Sequence, residues 1–259
     1  KFFNALNRNF VEWGPATGLY KTAGIDEMPL KILDPDYYEA LNFYGSSFWK
    51  QRAVDTPSSK LTKSGHEQTY AYRFDWDELS TINGLDMSNL IGAAHAMEIL
   101  FVFGSFDSYI VKNFLFGEDA YPAGKKLSDQ IQSYWAEFAY NGSPGRGREG
   151  DLPHWNPWSY EKEDKYIVLD SENDQGVFMS NVEYTPEYLL DRLSTDSRLN
   201  DAERCEMLFG LSYGDGNGVS KEVFNNFLNG SCKERDYSNI LAMIESSEEE
   251  ILEDLDNID

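Results

Sequence analysis

Hydrophobic positions along the chain follow two periods, one helical and one strand-like, separated by polar and Gly/Pro-rich breaks. Phe2, Phe3, Leu6, Phe10 and Trp13 recur at three- and four-residue steps, as one face of a helix would. Gly14-Pro15 and Met28-Pro29 interrupt this opening stretch. Asp34-Pro35-Asp36 is a helix entry, with a capping acid followed by proline in the first turn. The predicted helix runs to about Arg52, with Leu41, Tyr44, Phe48 and Trp49 as its buried stripe. Residues 55–65 are polar and read as a loop. Residues 68–74, QTYAYRF, alternate and are rich in β-formers, which predicts a strand. A loop follows to Ser88, with Asn83-Gly84 as a turn signal.

Farther on, residues 127–140 predict a helix with Ile131, Tyr134, Trp135 and Phe138 inward, stopped by Asn141-Gly142. Residues 165–170, KYIVLD, form a short apolar run that reads as a strand. From about Ser180 short helices take over, beginning at Thr185-Pro186, Asn200-Asp201 and Lys221. After Tyr237 the pattern is amphipathic, with Ile240, Ile244, Ile251 and Leu255 at helical steps. Residues 245–259 hold eight acids and no base, which reads as a solvated terminal helix or tail.

A length of 259 residues with 41% hydrophobic side chains can fill a sizeable core. The net charge of −23 argues against nucleic acid and anionic membranes as partners, because both repel a strongly acidic surface. No apolar run reaches the length of a membrane span. The two cysteines, Cys205 and Cys232, lie outside any CxxC or Cys/His cluster, so no metal site is expected. They form either a disulfide or, in a reducing compartment, two thiols.

Chemistry concentrates in residues 92–104, GAAHAMEILFVFG. His95 stands among Ala93, Ala94 and Ala96, so little bulk surrounds the ring. Glu98 follows, then an apolar run closed by Gly104. On spacing alone, a histidine beside such a run is more often a hydrogen-bonded core residue than a catalyst. His66, in a Lys/Ser/Gly turn, reads as exposed, and His154, between Pro153 and Trp155, as structural.

The run resembles the histidine motif of the type-B carboxylesterase (cholinesterase-like) family of α/β-hydrolases, approximately Gly-x-x-His-x-x-Glu-Ile/Leu-Pro-Phe-Val-Phe-Gly. Leu100 stands where that family often has proline; the departure leaves His95 and Glu98 in register. Two further stretches are similar to the family in the same order. Residues 128–145, SDQIQSYWAEFAYNGSPG, resemble its Trp-x-x-Phe-Ala-x-x-Gly-x-Pro helix. Residues 152–170 resemble its tryptophan/proline segment and the strand after it.

The resemblance implies the C-terminal part of an α/β-hydrolase: a doubly wound mixed sheet with surrounding helices. Residues 1–180 would hold late strands, the catalytic-His loop and packing helices, and residues 181–259 outer helices and the acidic terminal helix. It implies a serine carboxylesterase acting on a small-molecule carboxylic ester through an acyl-serine intermediate, without cofactor or metal. His95 would be the catalytic base and Glu98 an acid beside it. Met97, Phe101 and Phe103 are pocket candidates, although apolar residues at these spacings are more often plain core.

In such hydrolases the order is serine, acid, histidine, with the serine on a Gly-x-Ser-x-Gly elbow. Residues 1–94 contain no elbow. The expectation is therefore that nucleophile, acid and oxyanion hole belong to an N-terminal half of the same domain, with Lys1 just past the acid. That half would be the chain's partner, and the compartment would sooner be secreted or periplasmic than cytoplasmic. Glu12, Asp26 and Glu27 are poorer candidates for the acid. Gly210-Leu211-Ser212-Tyr213-Gly214 fits the elbow pattern, but it follows His95 and a predicted helix, the wrong order and context. Two other classes compete with the enzyme: a cholinesterase-like adhesion or binding domain that has lost its serine, and a self-standing acidic binding module. The upstream elbow residue separates the first from an esterase. Cooperative melting of the isolated chain tests the second.

Overall fold

A computed structural model describes residues 2–22, 24–106, 112, 116–159, 164–213, 220–238 and 241. The chain divides into two compact units. One comprises the described residues up to Leu33 together with Val54–Glu183. The other comprises Asp34–Ala53 and the described residues from Tyr184 on.

The first unit opens with a short helix, α1 (Phe2–Leu6), then strand β1 (Val11–Pro15), helix α2 (Gly18–Thr22) and strand β2 (Glu27–Ile32). The helical face expected through Trp13 is thus corrected: Val11–Pro15 pairs antiparallel with Glu27–Ile32, with a register irregularity between Glu12 and Trp13. The reason is tertiary. Val11 and Met28 are fully buried when the strands pair, which a local helical period cannot anticipate.

A three-stranded sheet carries the center of this unit: β3 (Tyr72–Phe74), β6 (Tyr166–Leu169) and β7 (Phe178–Ser180), in that order. β3 runs parallel to β6, and β7 antiparallel to it. β6 is buried along its whole length, as a continuous apolar run in a central strand should be. Between β3 and β6 lie a two-residue hairpin, β4 (Thr81–Ile82) and β5 (Leu85–Asp86), then α5 (Met87–Leu90), α6 (Glu98–Phe103) and α7 (Gly117–Asn141). Asn83 and Gly84 both have positive φ (49° and 83°), the conformation a tight hairpin turn needs. α7 stops at Gly142 in the left-handed region, as expected from Asn141-Gly142. Of its expected inward residues, Ile131 and Tyr134 are buried, whereas Phe138 is about half exposed. Residues 56–63, read from sequence as loop, form helix α4 (Thr56–Lys63) with Ser58 as its buried side chain. A helix this polar offers no apolar stripe to detect.

The second unit is helical. Asp34 caps α3 (Pro35–Lys50) by accepting from the Tyr37 N–H at 3.0 Å. A π-helical turn follows over Gln51–Asp55. Tyr44 and Phe48 are buried as expected, but Leu41 is half-buried and Trp49 exposed, and Tyr38, Ala40, Asn42 and Ser47 complete the inner face. From the other end of the chain come α8 (Pro186–Thr195), capped by Thr185, α9 (Asp201–Tyr213) and α10 (Lys221–Asn226), capped by Ser220. Their core gathers Tyr44, Leu189, Leu193, Leu199, Met207 and Leu208 around a Cys205–Cys232 disulfide whose sulfurs are wholly buried. Of the two sequence readings for the cysteines, the bonded one holds. The amphipathic pattern after Tyr237 and the acidic end lie almost wholly outside the described residues.

Candidate active site

His95 sits in a turn between α5 and α6, in the segment that leaves the carboxyl end of β3. In α/β sheets that end of a parallel strand carries the loops that hold ligands and catalytic groups. The turn is compact. The Ile91 and Gly92 N–H groups donate back to the Met87 carbonyl (2.8 and 3.3 Å), Ala94 N–H to Gly92 O (2.8 Å), and Met97 N–H to Ala94 O (3.2 Å). Two residues take left-handed backbone, Gly92 (φ 52°) and Ala96 (φ 70°). For alanine that conformation costs on the order of 1–2 kcal/mol, so the packing around the turn must hold it. Ala94 (3% exposed) and Met97 (9%) are buried on either side, and His95 between them is exposed.

The buried anchor of the turn is Phe101. It is fully buried, and its ring meets those of Phe74 (4.8 Å), Phe106 (5.0 Å), Trp76 (5.1 Å) and Phe116 (5.9 Å). The buried Ser128 hydroxyl of α7 donates to the Phe101 carbonyl at 2.7 Å, so α7 holds α6 by a hydrogen bond as well as by packing. Gly104 ends α6 in the left-handed region (φ 63°), and a Cβ there would lie 3.0 Å from the Gln132 amide. Of the three pocket candidates, Phe101 therefore packs in the ring cluster, Met97 is buried beneath the turn, and Phe103 is 74% exposed.

Glu98 opens α6, where an acid is favored by the helix dipole. It is half-buried, and its charge, secondary to burial, helps hold the Tyr72 phenol above its ordinary pKa. His66 and His154 are both exposed. Residues 210–213 are helical, within α9, so Ser212 does not stand on a strand-to-helix elbow. Gly214 lies outside the described residues.

Among the described residues, a cavity of about 280 Å³ is lined by α7 (Asp119, Pro122, Lys126, Gln130) and by Ser171 and Glu172 beyond β6; none of residues 92–104 lines it. No group of three or more His, Cys, Asp or Glu among them is placed to hold a metal ion. No helix there is long and apolar enough to cross a membrane.

A family model, the carboxylesterase family, matches residues 34–185, more than half of the sequence and including the whole histidine turn. The chain belongs to the carboxylesterase family. This family's fold is the α/β-hydrolase, and the mixed sheet with flanking helices accords with it. Carboxylesterase 4A of Bos taurus is 39% identical over 88 residues, which are 34% of this chain and 14% of that protein. The medium-chain fatty acyl-CoA hydrolase precursor of Anas platyrhynchos is 40% identical over 81 residues, 31% of this chain and 12% of that protein. Acylcarnitine hydrolase of Rattus norvegicus is 38% identical over 82 residues, 32% of this chain and 13% of that protein. The similarity thus spans about one seventh of the length of these carboxylesterase relatives.

Proposed function

We propose that this chain is the C-terminal portion of a serine carboxylesterase and that His95 is its catalytic base. The observation that carries the reading is an exposed histidine on a tightly bonded, locally strained turn beyond β3, in a carboxylesterase family chain. The nucleophilic serine, the acid and the oxyanion hole come from an N-terminal half of the same doubly wound domain. The names of the relatives, carboxylesterase, fatty acyl-CoA hydrolase and acylcarnitine hydrolase, point to acyl compounds as the substrate class.

The serine oxygen attacks the ester carbonyl as His95 takes the hydroxyl proton on a ring nitrogen. The tetrahedral intermediate collapses, the carbon–oxygen bond to the alcohol breaks, and the imidazolium returns its proton to the leaving alkoxide. Water then attacks the acyl-serine with His95 again as base, releasing the carboxylic acid and the free serine. The acid holds the imidazole in the required tautomer. Glu98 supports the turn from the start of α6. The chemistry uses no metal or cofactor. A buried disulfide favors an oxidizing compartment, secreted or periplasmic in kind.

His95→Ala in the full-length protein should lower kcat for a short-chain ester by about 10⁴-fold or more, with unchanged unfolding. Unchanged turnover in a folded variant would remove His95 from the mechanism.

A further inference from the structure

The parallel register of β3 and β6 brings Asp75 and Asp170 to the same rim, because the Asp75 N–H continues the ladder to Leu169 O at 3.1 Å. Asp170 is 4% exposed and Ser171 1%. Asp170 Oδ1 accepts from the Ser171 N–H at 2.8 Å. The Ser171 hydroxyl donates to Glu78 Oε1, and Glu78 Oε2 is buried with no hydrogen-bond partner among the described residues. From Glu78 the chain passes to Leu79, whose N–H donates to Ser88 Oγ (3.2 Å) while that hydroxyl donates to Leu79 O (3.3 Å). Ser88 lies in α5, and the Met87 carbonyl of that helix receives the first hydrogen bonds of the His95 turn.

We propose that Asp170, Ser171 and Glu78 form a proton-dependent clasp that ties the segment leading to His95 to the end of β6 and tightens when Asp170 carries a proton. The charges at this rim are Arg73 of β3, Asp75 and Glu78 after it, and Asp174 and Glu172 in the turn after β6. Arg73 is directed to Asp75 through Nε (2.6 Å) and Nη2, and Lys126 of α7 to Glu172. Asp170 therefore meets Asp174, Asp75 and Glu78, and among the described residues no ion pair reaches its carboxylate. Burial first, then those three carboxylates, pushes its pKa up to about 7.

A carboxyl that binds its proton more tightly when closed than when open makes opening easier as pH rises from about 4 to about 7, and constant above that. Glu78 and Ser171 are thus positioning residues acting through the backbone of 79–92. The clasp itself stands on geometry; its bearing on catalysis rests on the role of His95 proposed above.

The test is amide hydrogen exchange of peptides covering residues 75–90 in the full-length protein between pH 5 and 8, corrected for intrinsic rates. Protection should fall on the order of tenfold per pH unit from pH 5 to 7 and then level off. Asp170→Asn should hold the pH 5 protection throughout. Should that variant fail to fold, Glu78→Gln removes one neighboring charge and should move the fall to lower pH. Flat protection in the wild type, the wild-type slope in Asp170→Asn, or an unmoved midpoint in Glu78→Gln would overturn the clasp. Because exchange does not depend on turnover, an inactive His95 and an absent clasp are separable results.

Discussion

Asp170, at the end of β6, and Asp196, between α8 and α9, are both aspartates withdrawn from water, and their surroundings drive them apart. Asp196 accepts from Arg198 Nε (3.0 Å) and Nη2 (2.6 Å), from the Arg198 N–H (3.1 Å) and from Tyr44 OH (2.9 Å). Arg198 chiefly, with the Tyr44 hydroxyl in support, holds its carboxyl well below the ordinary carboxylate range. Asp170 is the more deeply buried of the two, with one backbone donor and carboxylates as neighbors, so it moves upward. Burial sets the cost of a charge, and the presence of a cation decides whether the charge stays. Both units hold ion pairs; the helical one is also stapled by its disulfide, whereas the sheet unit carries a carboxyl cluster beside the segment that bears its candidate base.

The largest way to disturb this contrast is at the staple. Replacing Cys205 and Cys232 by serine removes a bond spanning 27 residues and should cost about 3–4 kcal/mol in urea unfolding followed through the helical signal. Exchange at residues 75–90 should hardly change. Next is Arg198→Ala. It leaves a half-buried carboxylate that keeps the Tyr44 hydroxyl as a donor, and should cost about 1–3 kcal/mol at pH 7. It also acts on pH dependence. The depressed pKa of Asp196 gives stability that is present above its unfolded value, about 3.9, and lost as pH falls below that. Without Arg198 that acid-side loss shrinks, while the slope between pH 4 and 7 that belongs to Asp170 remains. An unchanged acid-side slope would contradict the pairing. The smallest effect is at the histidine turn. Ala96→Gly relieves a left-handed alanine and should stabilize by about 0.5–1 kcal/mol in thermal or urea unfolding. A loss of stability would mean that the Ala96 methyl packs better than its backbone suggests.

Much of the fold is legible where the signal is local. Asp34-Pro35 caps α3, Asn141-Gly142 stops α7, and the apolar run 166–169 is a buried strand, because cap, stop and strand chemistry each sit within a few residues. Val11–Pro15 escapes because its partner lies 12–21 residues away and Gly14-Pro15 reads as a break. α4 escapes because Leu61 is its single large apolar side chain and gives no periodic stripe. His95 is legible as a candidate base through a motif and not through its spacing, which equally describes a core histidine. The Asp170–Ser171–Glu78 grouping carries no sequence signal at all: Glu78 and Asp170 lie 92 positions apart, and the parallel pairing of β3 with β6 brings their segments together.

The most direct measurement of the central claim is peptide mapping of the full-length protein after reaction with a fluorophosphonate, a label for activated serines, in wild type and His95→Ala. One adduct, on a serine N-terminal to Lys1, with labeling lost in His95→Ala, is the expected result. An adduct on Ser212, or labeling that survives the loss of His95, would contradict the account.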